Sequence, residues 1–209
     1  MSPSDEFRRH FSACPIIAII RGVRPDEAEA IGAALYDGGI RIIEVPLNSP
    51  GPLDSIGRLA RLLGGKALIG AGTVLTPADV AAVRQAGGRL IVSPNTNVDV
   101  IGATADAGLV SCPGFFSPSE AFAAIRAGAT ALKFFPAEAG SPADIKALRA
   151  VLPDHVPILA VGGIKRDSMQ AWREAGADGF GISSALYRPG QTPDETRGNA
   201  AEFTAALAE

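Results

Sequence analysis

The feature that most restricts the fold is a unit that recurs about eight times along 209 residues: a short apolar run, a turn rich in Gly, Pro, Asn or Ser, then an amphipathic helix ending near glycine. The apolar runs are predicted as strands over Ile16–Ile20, Arg41–Pro46, Ala67–Ala71, Arg89–Ser93, Leu109–Cys112, Thr130–Phe134, Ile158–Val161 and Gly179–Ile182. Near-continuous apolar runs of this length suit a parallel sheet buried on both faces. Helices are predicted between them, over Pro25–Asp37, Gly51–Leu63, Pro77–Ala86, Val98–Ala107, Pro118–Ala127, Pro142–Val151, Arg166–Glu174 and Pro193–Leu207. Several open on proline, whose missing N–H costs nothing in a first turn, and stretches such as Gln85-Ala86-Gly87 and Glu174-Ala175-Gly176 mark C-caps. With a short helix over Ser4–Ala13 in front, eight alternating units that leave no lone edge predict an α/β chain closed as a (β/α)8 TIM barrel. An open doubly wound sheet is the alternative, and it usually has fewer strands.

The length fits one barrel domain over residues 1–209, with no linker in view. The net charge is −3 and the basic residues are scattered, so no face for nucleic acid is expected and an anionic ligand must be met locally. The first residues carry no apolar signal core, and no later run approaches the roughly 20 apolar residues of a membrane span, so a cytoplasmic protein without a membrane partner is expected. Cys14 and Cys112 read as reduced thiols. With only His10 and His155 and no cluster at ligand spacing, neither a metal site nor a cofactor is expected.

In such a barrel, chemistry sits at the C-terminal ends of the strands. Lys133 there is flanked by Leu132, Phe134 and Phe135. Desolvation disfavours an ammonium, which would free the amine as a nucleophile; a snorkelling or ion-paired lysine is the alternative. Alternation along Ile42-Ile43-Glu44-Val45-Pro46 puts Glu44 on one face with Ile42 and Pro46, as a general base beside the amine or as its structural counter-ion. Gly70-Ala71-Gly72-Thr73 offers backbone amides and a hydroxyl to a carboxylate, or is only a tight turn. Gly162-Gly163 and Ser183-Ser184 follow the last two strands, where barrels place phosphate, and Arg21 at the end of the first strand can close over the same anion. Cys112 reads as an apolar filler, and His155 lies at the opposite end of the barrel.

These residues resemble one family across nearly the whole chain, the class I 2-keto-3-deoxy-6-phospho-sugar-acid aldolases and their relatives acting on 4-hydroxy-2-oxoglutarate. The resemblance rests on Ile19-Ile20-Arg21-Gly22, Ile43-Glu44-Val45-Pro46-Leu47-Asn48-Ser49, Gly70-Ala71-Gly72-Thr73-Val74-Leu75, Ser93-Pro94-Asn95, Cys112-Pro113-Gly114, Leu132-Lys133-Phe134-Phe135-Pro136, Val161-Gly162-Gly163 and Ser183-Ser184. It implies that Lys133 is the Schiff-base lysine, Glu44 the proton-transfer glutamate, Thr73 a pyruvate-side contact, and Arg21, Gly162, Gly163 and Ser184 the phosphate-side contacts.

Pro46, Asn48, Ser49, Pro94 and Val161 resemble the branch acting on 2-dehydro-3-deoxy-6-phosphogalactonate, whereas Phe135-Pro136-Ala137-Glu138-Ala139 resembles the phosphogluconate branch. Asn48 stands where the gluconate branch has a carboxylate-binding arginine, so Thr73 and loop amides, with Arg21 shared, are left to hold the pyruvate carboxylate. The resemblance thus implies a lyase that binds a phosphorylated 2-keto-3-deoxy sugar acid through Lys133, Glu44, Arg21, Thr73, Asn48, Pro94, Val161, Gly162, Gly163 and Ser184. It also implies a homotrimer. A phosphosugar isomerase without a covalent intermediate and a non-catalytic sugar-phosphate sensor are the competing readings.

Overall fold

The computed structural model describes residues 2–207; Met1, Ala208 and Glu209 of the expected domain 1–209 lie outside the described residues. Nine parallel strand segments form one sheet: β1 (Ile16–Ile19), β2 (Ile42–Pro46), β3 (Leu68–Gly72), β4 (Leu90–Val92), β5 (Val110–Cys112), β6 (Gly114–Phe115), β7 (Leu132–Phe134), β8 (Ile158–Val161) and β9 (Gly179–Ile182). Their order is β5-β4-β3-β2-β1-β9-β8-β7-β6. The two end members are halves of one barrel strand, split where Pro113 has no N–H to give the ladder. β5 pairs with β4 and β6 with β7, and Pro113 itself accepts from the Lys133 N–H at 2.9 Å. The sheet therefore closes through this stretch as an eight-stranded TIM barrel. β6 lies in a Cys-Pro-Gly stretch that reads as a turn, which is why the sequence showed eight strands.

Helices α1 (Pro3–Ala13), α2 (Pro25–Asp37), α3 (Pro52–Leu63), α4 (Pro77–Gln85), α5 (Val98–Asp106), α6 (Pro118–Arg126), α7 (Pro142–Arg149), α8 (Met169–Glu174) and α9 (Pro193–Ala205) surround or cap the barrel. Their starts are encoded locally. Thr76, Ser117 and Thr192 accept from the N–H three residues on, while Asp79, Glu120 and Glu195 reach back to the cap. At the far end of α4, Gly87 takes φ +95°, so that its N–H donates to the Arg84 carbonyl and the Gly88 N–H to Val83. The predicted helix Arg166–Glu174 is a 3-10 turn over Arg166–Ser168 before α8. None of the described helices is long and apolar enough to cross a membrane.

Alternate strand residues divide into two cores. Ile16, Ala18, Ile43, Val45, Ile69, Leu132, Phe134 and Ala160 face the helices. Ile17, Ile19, Ile42, Leu68, Leu90, Val92, Val110, Cys112, Ala131, Leu159 and Val161 fill the barrel with Phe7 of α1. α1 closes the floor: Phe7 stacks on Phe11 at 4.8 Å, and Glu6 pairs with Arg89 at 2.8 Å. Among the described residues, the barrel interior is thus closed at this end, and a cavity opens at the opposite one.

Candidate active site

Lys133 and Glu44 point inward from β7 and β2 in the uppermost interior layer, 7% and 2% exposed. Burial lowers the pKa of Lys133; Glu44 and Cys112 oppose that shift, and Arg21 adds to it. Burial likewise raises the Glu44 carboxyl to about 7, against the pull of Lys133 and Arg21. Each group thus approaches neutrality from its own side. None of the ion pairs within 4.0 Å among the described residues includes either one. Glu44 Oε2 has no hydrogen-bond partner, and the Lys133 ammonium lies over the Phe135 ring, 4.5 Å from its centroid. The counter-ion alternative predicts a direct pair, and the geometry leaves the two heads apart.

Both heads open into a cavity of about 260 Å³ that is also lined by Arg21, Thr73, Pro94, Val161, Gly162, Gly163 and Ser184. Nine of the ten residues singled out from sequence therefore meet in one space. The tenth, Asn48, does not line it, but its Oδ1 accepts a hydrogen bond from Arg21 Nη1 at the rim. Ser49 Oγ accepts from the Gly22 N–H at 2.9 Å and holds the same two loops together.

Thr73 sits at φ +57°, a left-handed conformation that costs a residue with a side chain on the order of 1 kcal/mol. It is held from both sides, by Leu47 N–H donating to the Gly72 carbonyl at 2.8 Å and Val74 N–H donating to Val92 at 3.2 Å. Ser93 Oγ, donating to the Val74 carbonyl at 2.8 Å, fixes the next residue as well. Thr73 thus carries a strained backbone, firmly held, at the cavity wall. Across the cavity, Gly162 and Gly163 take φ +108° and +67°, and among the described residues the N–H groups of Gly163 and Ser184 donate to no other group. Free amides beside Arg21 suit an anion.

Cys112 lies in the same interior layer, its thiol pushed up to about 12 by burial, so it stays protonated as a filler. His155 is exposed in the turn before β8, at the N-terminal end of the barrel, and His10 is buried in α1 on the floor. Two contributors escaped sequence reading as site residues. Phe135 was legible only as an apolar neighbour of the lysine. Gly72 was legible as part of a glycine-rich strand end that offers amides or a tight turn, but not as the neighbour of the Glu44 carboxyl group, which fills the space where its side chain would be.

Residues 8–190 match the family described as "Aldolase: KDPG and KHG aldolase". The chain is 47% identical over 195 residues to 2-dehydro-3-deoxy-6-phosphogalactonate aldolase of Escherichia coli (strain K12), covering 93% of this chain and 95% of that one. Among solved structures, one described as native KDPGal superposes with a TM-score of 0.91 at 46% identity, covering 93% of this chain and 94% of its own. KDPG aldolase from Legionella pneumophila superposes with a TM-score of 0.78 at 28% identity, covering 99% of this chain and 96% of that one. In that structure pyruvate was captured at low pH as a covalent carbinolamine intermediate.

Proposed function

The chain belongs to the KDPG and KHG aldolase family and is a lyase, and from that premise we propose that it cleaves 2-dehydro-3-deoxy-6-phosphogalactonate to pyruvate and D-glyceraldehyde 3-phosphate through a Schiff base on Lys133. One observation carries the chemistry: a desolvated lysine and a desolvated glutamate share a closed-floored cavity without spending their charges on each other. The likeness to the phosphogalactonate aldolase over nearly the full length of both chains supports the choice of epimer.

The neutral Lys133 amine attacks the C2 carbonyl, and the carbinolamine takes up a proton from solvent and loses water to give an iminium. Glu44, as carboxylate, takes the C4 hydroxyl proton, directly or through a water. The C3–C4 bond breaks, its electron pair flows into the iminium to form an enamine, and glyceraldehyde 3-phosphate leaves. Glu44 returns the proton to C3, and water hydrolyses the iminium to release pyruvate, the free amine and the proton taken up when the iminium formed. A carboxyl near pKa 7 serves both directions of this proton traffic at neutral pH.

Thr73 is assigned to the carboxylate end of the substrate, and Arg21, held by Asn48 at the rim, with Gly162, Gly163 and Ser184 to the phosphate end. Pro94 and Val161 shape the wall between. The grip on both ends holds C4 over the reacting pair. The chain is read as one catalytic domain, working in the cytoplasm, where phosphorylated sugar acids are retained, and as a homotrimer. Exposed Leu75, Val98 and Phe116 on neighbouring rim loops support self-association.

Two measurements test the reading. Purified protein should give a higher kcat/KM with the phosphogalactonate-derived substrate than with its C4 epimer, and the reverse preference moves it to the phosphogluconate branch. Borohydride added with pyruvate should fix a covalent adduct that Lys133→Ala abolishes together with turnover. Turnover with no adduct points instead to an isomerase-like reaction in which Lys133 acts only by its charge.

A further inference from the structure

We infer that Gly72 is a positioning residue for Glu44, its missing side chain being the space in which the reactive carboxyl group rests. The inference deepens the proposed Schiff-base reaction and relies on Glu44 as its proton carrier. Gly72 closes β3 in register with Pro46 of β2, two residues beyond Glu44. A Cβ placed on Gly72 would lie 2.0 Å from Glu44 Oε2, 2.3 Å from Oε1 and 2.3 Å from Cδ, so its three nearest neighbours are all atoms of that one carboxyl group. Real Cβ atoms do not approach other atoms closer than 3.0 Å.

The backbone gives no reason for glycine here: Gly72 is not among the residues at positive φ, and a strand conformation accepts alanine. Gly70 in the same strand is different, because a Cβ there would strike the Leu90 backbone at 2.0 Å. Gly70 therefore serves sheet packing, whereas Gly72 answers to a side chain on the neighbouring strand.

The arrangement matters because little else holds the carboxyl group. Glu44 Oε2 is buried and makes no hydrogen bond, and Lys133 is not within ion-pair distance. The group is located by shape, which leaves its oxygens free to accept and return protons. A methyl at residue 72 must displace Oε2 by at least 1 Å, from 2.0 Å out to the 3.0 Å limit. Misplacements of that size cost about 100-fold in rate.

The test separates bond formation at Lys133 from proton transfer at Glu44. Pyruvate bound to Lys133 loses a methyl proton to the Glu44 carboxylate as the iminium becomes an enamine, and in D2O a deuteron returns, so methyl exchange followed by NMR, set against the yield of the borohydride adduct, isolates the Glu44 step from bond formation at Lys133. Gly72→Ala should still give the borohydride adduct with pyruvate and an unchanged KM within about 3-fold, while exchange and kcat fall about 100-fold. Glu44→Asp withdraws the carboxyl by one methylene, so Glu44→Asp/Gly72→Ala should be no slower than Glu44→Asp.

Exchange at the wild-type rate in Gly72→Ala, or losses that multiply in the double variant, overturns the inference. If Gly72→Ala does not fold, Glu44→Ala/Gly72→Ala must fold, since the colliding group is gone; failure of both overturns it as well. Wild-type exchange in Glu44→Gln would remove Glu44 itself from the mechanism, a separate outcome that the Gly72 variants cannot mimic.

Discussion

Glu44 links reactivity to stability. Its folded pKa of about 7 lies above the ordinary 4.5, so the folded state holds its proton more tightly than the unfolded chain does. The stability this proton confers is complete below about pH 4.5 and is lost as pH rises through about 7, amounting to roughly 3 kcal/mol. Lys133 titrates with the opposite sign, because its depressed pKa makes folding more favourable as pH rises toward 10.5. In a Lys133→Met background, urea unfolding should therefore show stability falling from pH 4.5 to 7 relative to Lys133→Met/Glu44→Gln. Parallel pH curves for the two proteins would mean that the carboxyl is not desolvated. Both charges were legible in the sequence, since Lys133 between Leu132 and Phe134, and Glu44 between Ile43 and Val45, break apolar runs that have no other use for charge. Gly72 was not, since a glycine shows nothing of the group that fills its place.

At the level of elements, α1 and α3 carry the sharpest expectations. α1 is the barrel floor, with Phe7 1% exposed among interior residues of several strands. Phe7→Ala should cost about 4 kcal/mol in urea unfolding by opening a void that no neighbouring strand can collapse to fill. A loss well under about 1 kcal/mol would show that α1 is dispensable as a floor. In α3, Ser55 Oγ is fully buried without a hydrogen-bond partner. Ser55→Ala should raise stability by about 1 kcal/mol and leave kcat unchanged, because an unsatisfied hydroxyl is removed from a helix that alanine favours. Most helix starts were readable because prolines and capping boxes act within a few residues; the start of α8 at Met169, after the 3-10 turn Arg166–Ser168, was not. The split of the fifth barrel strand at Pro113 was not, because β6 is set by its partner β7 rather than by its own two residues.

For the whole molecule, three loops at the open end are laced together. Thr96 Oγ1 donates to the Gly114 carbonyl at 2.7 Å, Asn97 Nδ2 to Leu75 at 3.5 Å, and Phe116 stacks on Phe134 at 5.1 Å. Leu75 and Phe116 on these loops, and Val98 at the start of α5, are exposed at this end of the barrel. In the proposed homotrimer, Leu75→Glu/Phe116→Glu should shift the mass toward monomer in light scattering with the fold intact by circular dichroism; an unchanged mass would overturn these side chains as the contact between copies. The sequence by itself determined the alternation of strand and helix, most helix starts, and which side chains were too polar for their surroundings, because periodicity, capping and desolvation act over a few residues. Only the tertiary structure decided that Pro113 is the point of closure, that Lys133 and Glu44 share one cavity without pairing, and that Gly72 lies under a carboxyl group. Those relations join residues far apart in the chain, and they exist only once the sheet has closed on itself.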